Sequence, residues 1–542
     1  MLLLLFTVIF LLPVFAGIGK ISEKLFGEIN TISGKIISGI FLISVVWTIT
    51  AFFSGLNIFI ELITVFIGLL SFFYFKIYLD FWNFFSKNSK VFLLFSLVIC
   101  FAGSFFPFIL DYFGYYVPTV KWISEYGLIK GISNLDLLLG QMSFWHTFQA
   151  GFSHLSDPFL RMNSVILIIY LMYIFEKKSW IHLLFIPFLF LFSQSPSPDL
   201  PVIVFSLIIL NETLSGNSNL NFLFAVSALV FAIKPTMLWL PLFTFLYGIF
   251  ISKSNIRFLI LGSFVFLIFF VKNIWCFGFP VFPVQIGDFG VSWKPNPELL
   301  KISSKVAIEK TFDSQYKYAE ILNFSTLDYM KNWLFLKGIK SKIHILFMLS
   351  LLVFSVFAFV KKNKIISLLC ISVLVKSILV LLFSAQYRFF IDVFFVVFFV
   401  MFYQKISKKQ MMISFSVSSI FFIGFLSFPG LVKKVFPSFK LGQFLTGFQK
   451  EQFYEPAHFE WNRYKTYQIG NLKFNVVESY PFSFDIPIPA ISPEFLQEDF
   501  DARIFPQQNS ENIKDGYHWR KMNDEEKQQI KNILKETGIN KK

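Results

Sequence analysis

Apolar runs of bilayer-crossing length, set apart by short turns that carry Lys or Arg, recur from the first residue to about residue 429. No other feature constrains this chain as strongly. A span needs about 20 mostly apolar residues, with a working range of roughly 17–25. On that ruler the sequence predicts about fourteen spans, near 1–19, 36–55, 57–75, 91–110, 161–175, 180–194, 199–213, 219–233, 236–252, 257–275, 343–360, 365–384, 387–403 and 411–429. Only 15% of the residues are charged against 55% hydrophobic, where a soluble domain is about 25% charged. The chain has too little polar surface to cover a water-soluble globule. The fold class this implies is an all-α polytopic transmembrane bundle.

The first 19 residues lack a basic leader and have Lys20 and Lys24 after them, so they read as an uncleaved span rather than a signal peptide. Lys and Arg in short loops set orientation. With the N-terminus outside, the inner loops hold Lys20, Lys24 and Lys35, then Lys76, Lys87 and Lys90, and later Lys177, Lys178, Lys253, Arg257, Lys361, Lys362, Lys364, Lys405, Lys408 and Lys409. The Lys234–Pro235 pair predicts a break between the eighth and ninth spans, because Pro disfavours helix at the residue before it. The net charge of +15 sits in these short clusters, which is a topology signal and not a nucleic-acid surface. Cys100, Cys276 and Cys370 show neither metal-ligand spacing nor a disulfide framework.

Three larger segments then fall outside: 111–160, 276–342 and 430–542. In the first, Tyr116, Val120, Ile123 and Gly127 share one helical face, as do Met142, Trp145, Gln149 and Phe152. Two short amphipathic helices lying on the outer leaflet are expected there; a folded loop of packed aromatics is the alternative. The last segment reads as a small mixed α/β domain, with a hairpin through Tyr467–Gly470–Asn471–Val477 and a polar helix from Asn523 to Glu536.

Ionisable residues at span ends are functional hypotheses by default. Asp111 follows the fourth span, Asp199 opens the seventh, Lys234 ends the eighth and Lys272 comes near the end of the tenth. Arg388 opens the thirteenth, with Asp392 one turn further in. All lie near the outer face. Each taken alone is explained by snorkelling to the nearest interface, and Arg388 by a pair with Asp392. The set is explained less well, because lone outer cations oppose the usual charge bias. Lys376, near the middle of the twelfth span, is expected to pair with a carboxylate inside the bundle. A lipid-linked substrate suits such a site: its phosphate sits at headgroup depth, where Lys and Arg bind it through charge-assisted hydrogen bonds. A carboxylate at that depth is placed to take a proton from an acceptor hydroxyl.

At this point the chain resembles the GT-C-type glycosyltransferases, polytopic enzymes that use polyprenyl-phosphate sugars. The likeness rests on a span ending at an acidic residue, Asp111, a first outer loop with two interfacial helices, six further spans and a second long outer loop. The stretch from Asp111-Tyr112 through Gly127-Leu128, Gly131, Asn134-Leu135, Leu139-Gly140 and Ser143-Phe144-Trp145 is similar to a bacterial multi-pass membrane family of unassigned activity. So is Lys272-Asn273 followed by Gly278-Phe279-Pro280-Val281-Phe282-Pro283. The resemblance implies three additional N-terminal helices over 1–90, a seven-helix module over 91–275 and a second outer loop over 276–342. Four variable helices over 343–429 and an extracytoplasmic C-terminal domain over 430–542 would follow.

It further implies an inverting transferase of the bacterial cytoplasmic membrane. Asp111 would be the general base; Lys234, Lys272 and Arg388 would hold the donor phosphate; Asp199, Asn134, Trp145, Asn273 and Asp392 would support them. The implied partners are a polyprenyl-phosphate-linked sugar, a glycan, lipid or protein acceptor, and the bilayer, with no nucleic acid. No cofactor is implied with certainty; a divalent metal is the alternative, with Glu125, Asp136 or Asp157 as carboxylates that could approach in space. Tyr112 and Phe113 stand where a second carboxylate would complete a local DxD metal motif, so no metal residues are assigned. A ligase or polymerase acting on lipid-phosphate glycans, or a transporter or flippase, is the alternative. A transporter would favour internal repeats and a mid-membrane site.

Overall fold

The computed structural model describes residues 1–107, 109–435 and 445–537. The expected C-terminal domain of 430–542 therefore includes two stretches, 436–444 and 538–542, that lie outside the described residues. The chain is mostly helical, at 68%, and each of the fourteen predicted windows holds helix. Among the described residues six helices are individually long and apolar enough to cross a bilayer: Leu2–Phe26, Ile32–Ala51, Ile256–Phe277, Ile339–Lys361, Lys364–Phe383 and Lys408–Ser427. Large apolar side chains on them point outward with nothing to cover them, Phe359 at 81% exposure and Ile420 at 74%. Such surface requires lipid. This is a membrane protein.

Several of the other windows fall short of a full span for identifiable reasons. Ile58–Tyr74 bends by 77° into Tyr78–Asn88, a pair that counts as one further candidate span. Pro187 lies in the 180–192 segment, which is helical only as short 3₁₀ and α pieces. Lys234 is extended (φ −148°, ψ 105°) between the Leu220–Ile233 helix and a 3₁₀ turn starting at Pro235, as the Lys-Pro pair predicts. The helix expected to run to residue 110 ends at Gly103; Pro107 cannot continue the backbone ladder. Asp111 thus stands beyond a connector, at the start of a π-helical turn, Tyr112–Tyr116.

The first helix crosses closely to the third. A Cβ on Gly17 would overlap the Gly68 carbonyl oxygen, and Ser71 Oγ donates to the Gly17 carbonyl at 2.7 Å. Small residues at such crossings are how helices gain contact where lipid offers no hydrophobic contrast.

The 111–160 segment does contain two short helices, Val117–Glu125 and Phe144–Gly151. Neither lies on a lipid surface. All eight residues of the second are buried, and Trp122 and Trp145 are at most 1% exposed. The amphipathic-leaflet expectation gives way to a folded, aromatic-packed loop. It is roofed by the C-terminal region, which carries two antiparallel hairpins, β1 (Tyr464–Ile469) with β2 (Leu472–Val477), and β3 (Ile504–Gln508) with β4 (Tyr517–Lys521). The first turns at Gly470–Asn471, where Ile469 pairs directly with Leu472, a two-residue loop of the kind Gly and Asn favour. The polar helix spans Asp524–Glu536, with Asn523 and Glu526 forming a capping box. The roof is bonded down at Phe484 N–H to the Phe113 carbonyl (3.0 Å), Tyr517 N–H to the Lys130 carbonyl (3.0 Å) and Lys121 Nζ to the Asp485 carbonyl (2.7 Å).

Candidate functional site

Four breaks in the helical pattern converge beneath this roof, and each delivers one charge. Asp111 comes from the connector after Gly103. Asp199 opens the Asp199–Leu214 helix, after a buried turn whose carbonyls at Phe192, Ser195 and Ser197 are held by Asn163 Nδ2 at 2.7–2.9 Å. Lys234 comes from the Lys-Pro break. Arg388 lies in a 3₁₀ turn, Tyr387–Phe389, between the Lys364–Phe383 and Ile391–Phe402 helices. Irregular backbone is tolerated at membrane depth only where protein or a cavity surrounds it, so four breaks meeting at one place mark a built site.

The charges pair across the chain. Arg388 Nη1 donates to Asp111 Oδ2 at 3.0 Å. Lys234 Nζ forms an ion pair with Asp199 Oδ1 and donates to the Arg388 carbonyl at 3.1 Å. The Asp111 and Arg388 side chains remain 35% and 42% exposed, so the pair is open to a ligand. Arg388 keeps one buried donor, Nε, without a protein partner, and Thr236 Oγ1 in the Lys234 turn is also unpartnered. Tyr115 and Tyr116 back the pair. Burial, reinforced for Tyr115 by the Asp111 charge, pushes both phenols above their ordinary range, so they stay neutral donors. On the other flank Lys340 pairs with Asp313 and lies 5.4 Å from the Tyr387 ring centroid.

Asp392 does not pair with Arg388. Its Oδ1 meets Lys376 Nζ, and its Oδ2 accepts from Trp239 Nε1 at 2.8 Å. Lys376 thereby finds the carboxylate expected for it. Lys272 is not brought to the cluster either. It is 1% exposed, donates to the Gln141 carbonyl at 2.6 Å, and packs beside Phe269. Its charge bears on His146, whose imidazole is pushed down to about 3 by burial and then by Lys272. Asn273 Nδ2 donates to the Pro280 carbonyl at 2.8 Å and holds the turn after its helix. Trp145 stacks on Phe148 at 5.3 Å. Asn134 binds three backbone carbonyls.

Hydrogen bonds and ion pairs thus join Asp111, Asp199, Lys234 and Arg388, while Lys272, Asn134, Trp145, Asn273 and Asp392 are engaged by other partners. Sequence reasoning missed Tyr115, Tyr116, Asp313, Lys340 and Ser197, whose hydroxyl donates to Asp199 Oδ2 at 3.2 Å. For the two tyrosines the signal was their spacing, four and five residues after Asp111; for the others nothing local distinguishes them. Among the described residues no three His, Cys, Asp or Glu side chains come together as metal ligands.

The family model described as a domain of unknown function (DUF8201) matches residues 1–395, more than half of the chain, and the chain belongs to that family. The matched residues include all four members of the cluster and end before the hairpin region. No curated protein and no solved structure matches the chain.

Proposed function

We propose that this DUF8201 protein is a membrane glycosyltransferase of GT-C type, built as a polytopic bundle of about fourteen helical segments. It moves a sugar from a polyprenyl-phosphate donor to an acceptor hydroxyl on the outer side of a bacterial cytoplasmic membrane. The observation that carries this reading is the half-exposed Asp111–Arg388 pair, with Lys234 bonded to the Arg388 backbone beside it. A phosphate at headgroup depth meets the exposed part of the Arg388 guanidinium and the Lys234 ammonium next to it; both neutralise charge that grows on the leaving phosphate. The acceptor hydroxyl gives its proton to the Asp111 carboxylate while its oxygen attacks the anomeric carbon. The bond from that carbon to the phosphate oxygen breaks, and the electron pair leaves with the lipid phosphate, inverting the centre. Arrival of the phosphate draws Arg388 from Asp111 and frees the carboxylate to act as base. Asp199 orients Lys234. Lys272 has no part in this chemistry.

The test is transfer of labelled sugar from a polyprenyl-phosphate donor in proteoliposomes. Asp111→Asn is expected to lower turnover by about 10²–10⁴-fold, the usual contribution of a general base, with an unchanged melting profile. Near-normal turnover in that variant overturns the role.

A further inference from the structure

Away from the charged cluster, three segments distant in sequence meet at Gly131. Its φ is +61°, and a Cβ there would lie 2.5 Å from the Tyr517 carbonyl oxygen and 2.9 Å from Trp293 Cβ. Gly516, at φ +89°, faces it; a Cβ at that position would overlap the Lys130 carbonyl oxygen. Only glycine accommodates both the positive φ and the close approach. Asn134 then ties the three segments together, its Nδ2 donating to the carbonyls of Gly131 (3.1 Å), Trp293 (2.7 Å) and Tyr517 (3.3 Å).

The walls so fixed enclose an open cleft of about 660 Å³, lined in part by Lys130, Trp275, Trp293, Asn509, His518 and Trp519. Ligand sites usually fall between about 300 and 1,000 Å³. Each indole N–H is already spent on backbone: Trp275 on Leu128 (3.2 Å), Trp293 on Ile274 (2.9 Å) and Trp519 on Lys294 (3.1 Å). The rings are therefore clamped at their polar edges and half-exposed on the rest. Tryptophans of an interfacial belt sit at headgroup level with their amphipathic rings spanning the boundary; these three turn their polar edges into the protein. Hydrogen-bonding groups stand among the rings, and the Lys130 ammonium covers one face of Trp293. Lys130 Nζ lies 4.0 Å from the Trp293 ring centroid, and His518 Nδ1 and Asn509 Oδ1 are 2.7 Å apart at the rim.

Rigid apolar ring faces beside an ammonium, an amide and an imidazole match a molecule with apolar C–H faces and hydroxyl edges. We infer that this cleft is a saccharide-binding site that takes a short stretch of glycan chain. A phospholipid headgroup fits less well, since the second lysine of the cleft, Lys514, is already bonded to the Phe53 carbonyl. Naming the bound glycan as the acceptor rests on the transfer reading; the binding itself stands on the cleft.

The test uses the full-length protein in detergent and isothermal titration with size-fractionated oligosaccharides released from the source cell's own envelope polysaccharide. Saturable binding is expected, and Trp519→Ala weakens it about tenfold by removing a stacking face. Trp519→Phe, which keeps a ring, stays close to wild type. Lys130→Ala removes the ammonium but no backbone bond; it is also expected to cost about tenfold, and it decides the matter if Trp519→Ala fails to fold. Asp111→Asn binds the oligosaccharides as wild type does, so loss of transfer and loss of this site are separately visible. Absence of saturable binding, or binding indifferent to Lys130→Ala, overturns the inference. So does a response to phosphatidylglycerol vesicles in place of the oligosaccharides that Lys130→Ala removes.

Discussion

Two ion pairs lie close together in this molecule and are built from the same kinds of residue, yet their surroundings differ. Asp111 and Arg388 are 35% and 42% exposed, and one Arg388 nitrogen has no protein partner. Asp392 and Lys376 are 5% and 2% exposed, and the remaining Asp392 oxygen is filled by Trp239. The buried pair has its charge balanced and its carboxylate occupied, so it offers a ligand nothing. The open pair holds its charges at a surface. A charge near a span end is therefore not functional by position alone; what separates the two is whether the protein has already met its hydrogen-bonding capacity.

The largest effect that sharpens this contrast is on stability. Asp392→Asn leaves Lys376 buried and unpaired, and breaking such a pair costs about 3–5 kcal/mol. A large drop in the thermal midpoint in detergent is expected. The double variant Lys376→Met with Asp392→Leu recovers part of it, because a buried pair is often replaceable by apolar residues. An Asp392→Asn protein that melts like wild type breaks the comparison from the buried side.

Lys272 gives an intermediate effect. Lys272→Met strips the Gln141 carbonyl of its donor, worth about 1–3 kcal/mol, and is expected to leave affinity for a polyprenyl-phosphate analogue unchanged. A tenfold loss of that affinity would return Lys272 to the phosphate site and blur the distinction between spent and unspent cations.

The smallest effect is on the roof. Burial pushes the Asp136 carboxyl up to about 8 and Glu498 up to about 7, and raises Asp499 well above its usual range. Glu494 adds like charge, Lys310 and the Leu138 and Leu139 N–H groups oppose it. The folded state thus holds protons that the unfolded chain releases near pH 4, so stability is full below that and falls as pH rises towards 8. The expected outcome is a loss of stability between pH 6 and 8, read as faster hydrogen exchange in residues 493–502. Asp136→Asn should flatten the dependence; protection that increases with pH contradicts the sign.

Much of the site was legible because charges at the ends of apolar runs are rare, and each marks a break. Asp111, Asp199, Lys234 and Arg388 could be picked out for that reason. What could not be read is rotation about each helix axis: Lys272 and Lys234 stand at similar sequence depth, but packing turns Lys272 towards Gln141 and Lys234 towards Asp199. Periodicity also cannot say what covers an apolar face. The Phe144–Gly151 helix shows the pattern of a leaflet-lying helix, and the partner that buries it comes from distant segments. Span counting met a similar limit where Pro187 lies in an apolar run that is helical only in short pieces.

The distinction between the two pairs is tested most directly by titrating a polyprenyl-phosphate analogue into the purified protein. Arg388→Lys cannot copy the planar fork. It is expected to weaken binding by about ten- to a hundredfold, the equivalent of one charged hydrogen bond of about 1.5–3 kcal/mol, while melting as wild type does. Wild-type affinity in Arg388→Lys would contradict the assignment and place the phosphate elsewhere.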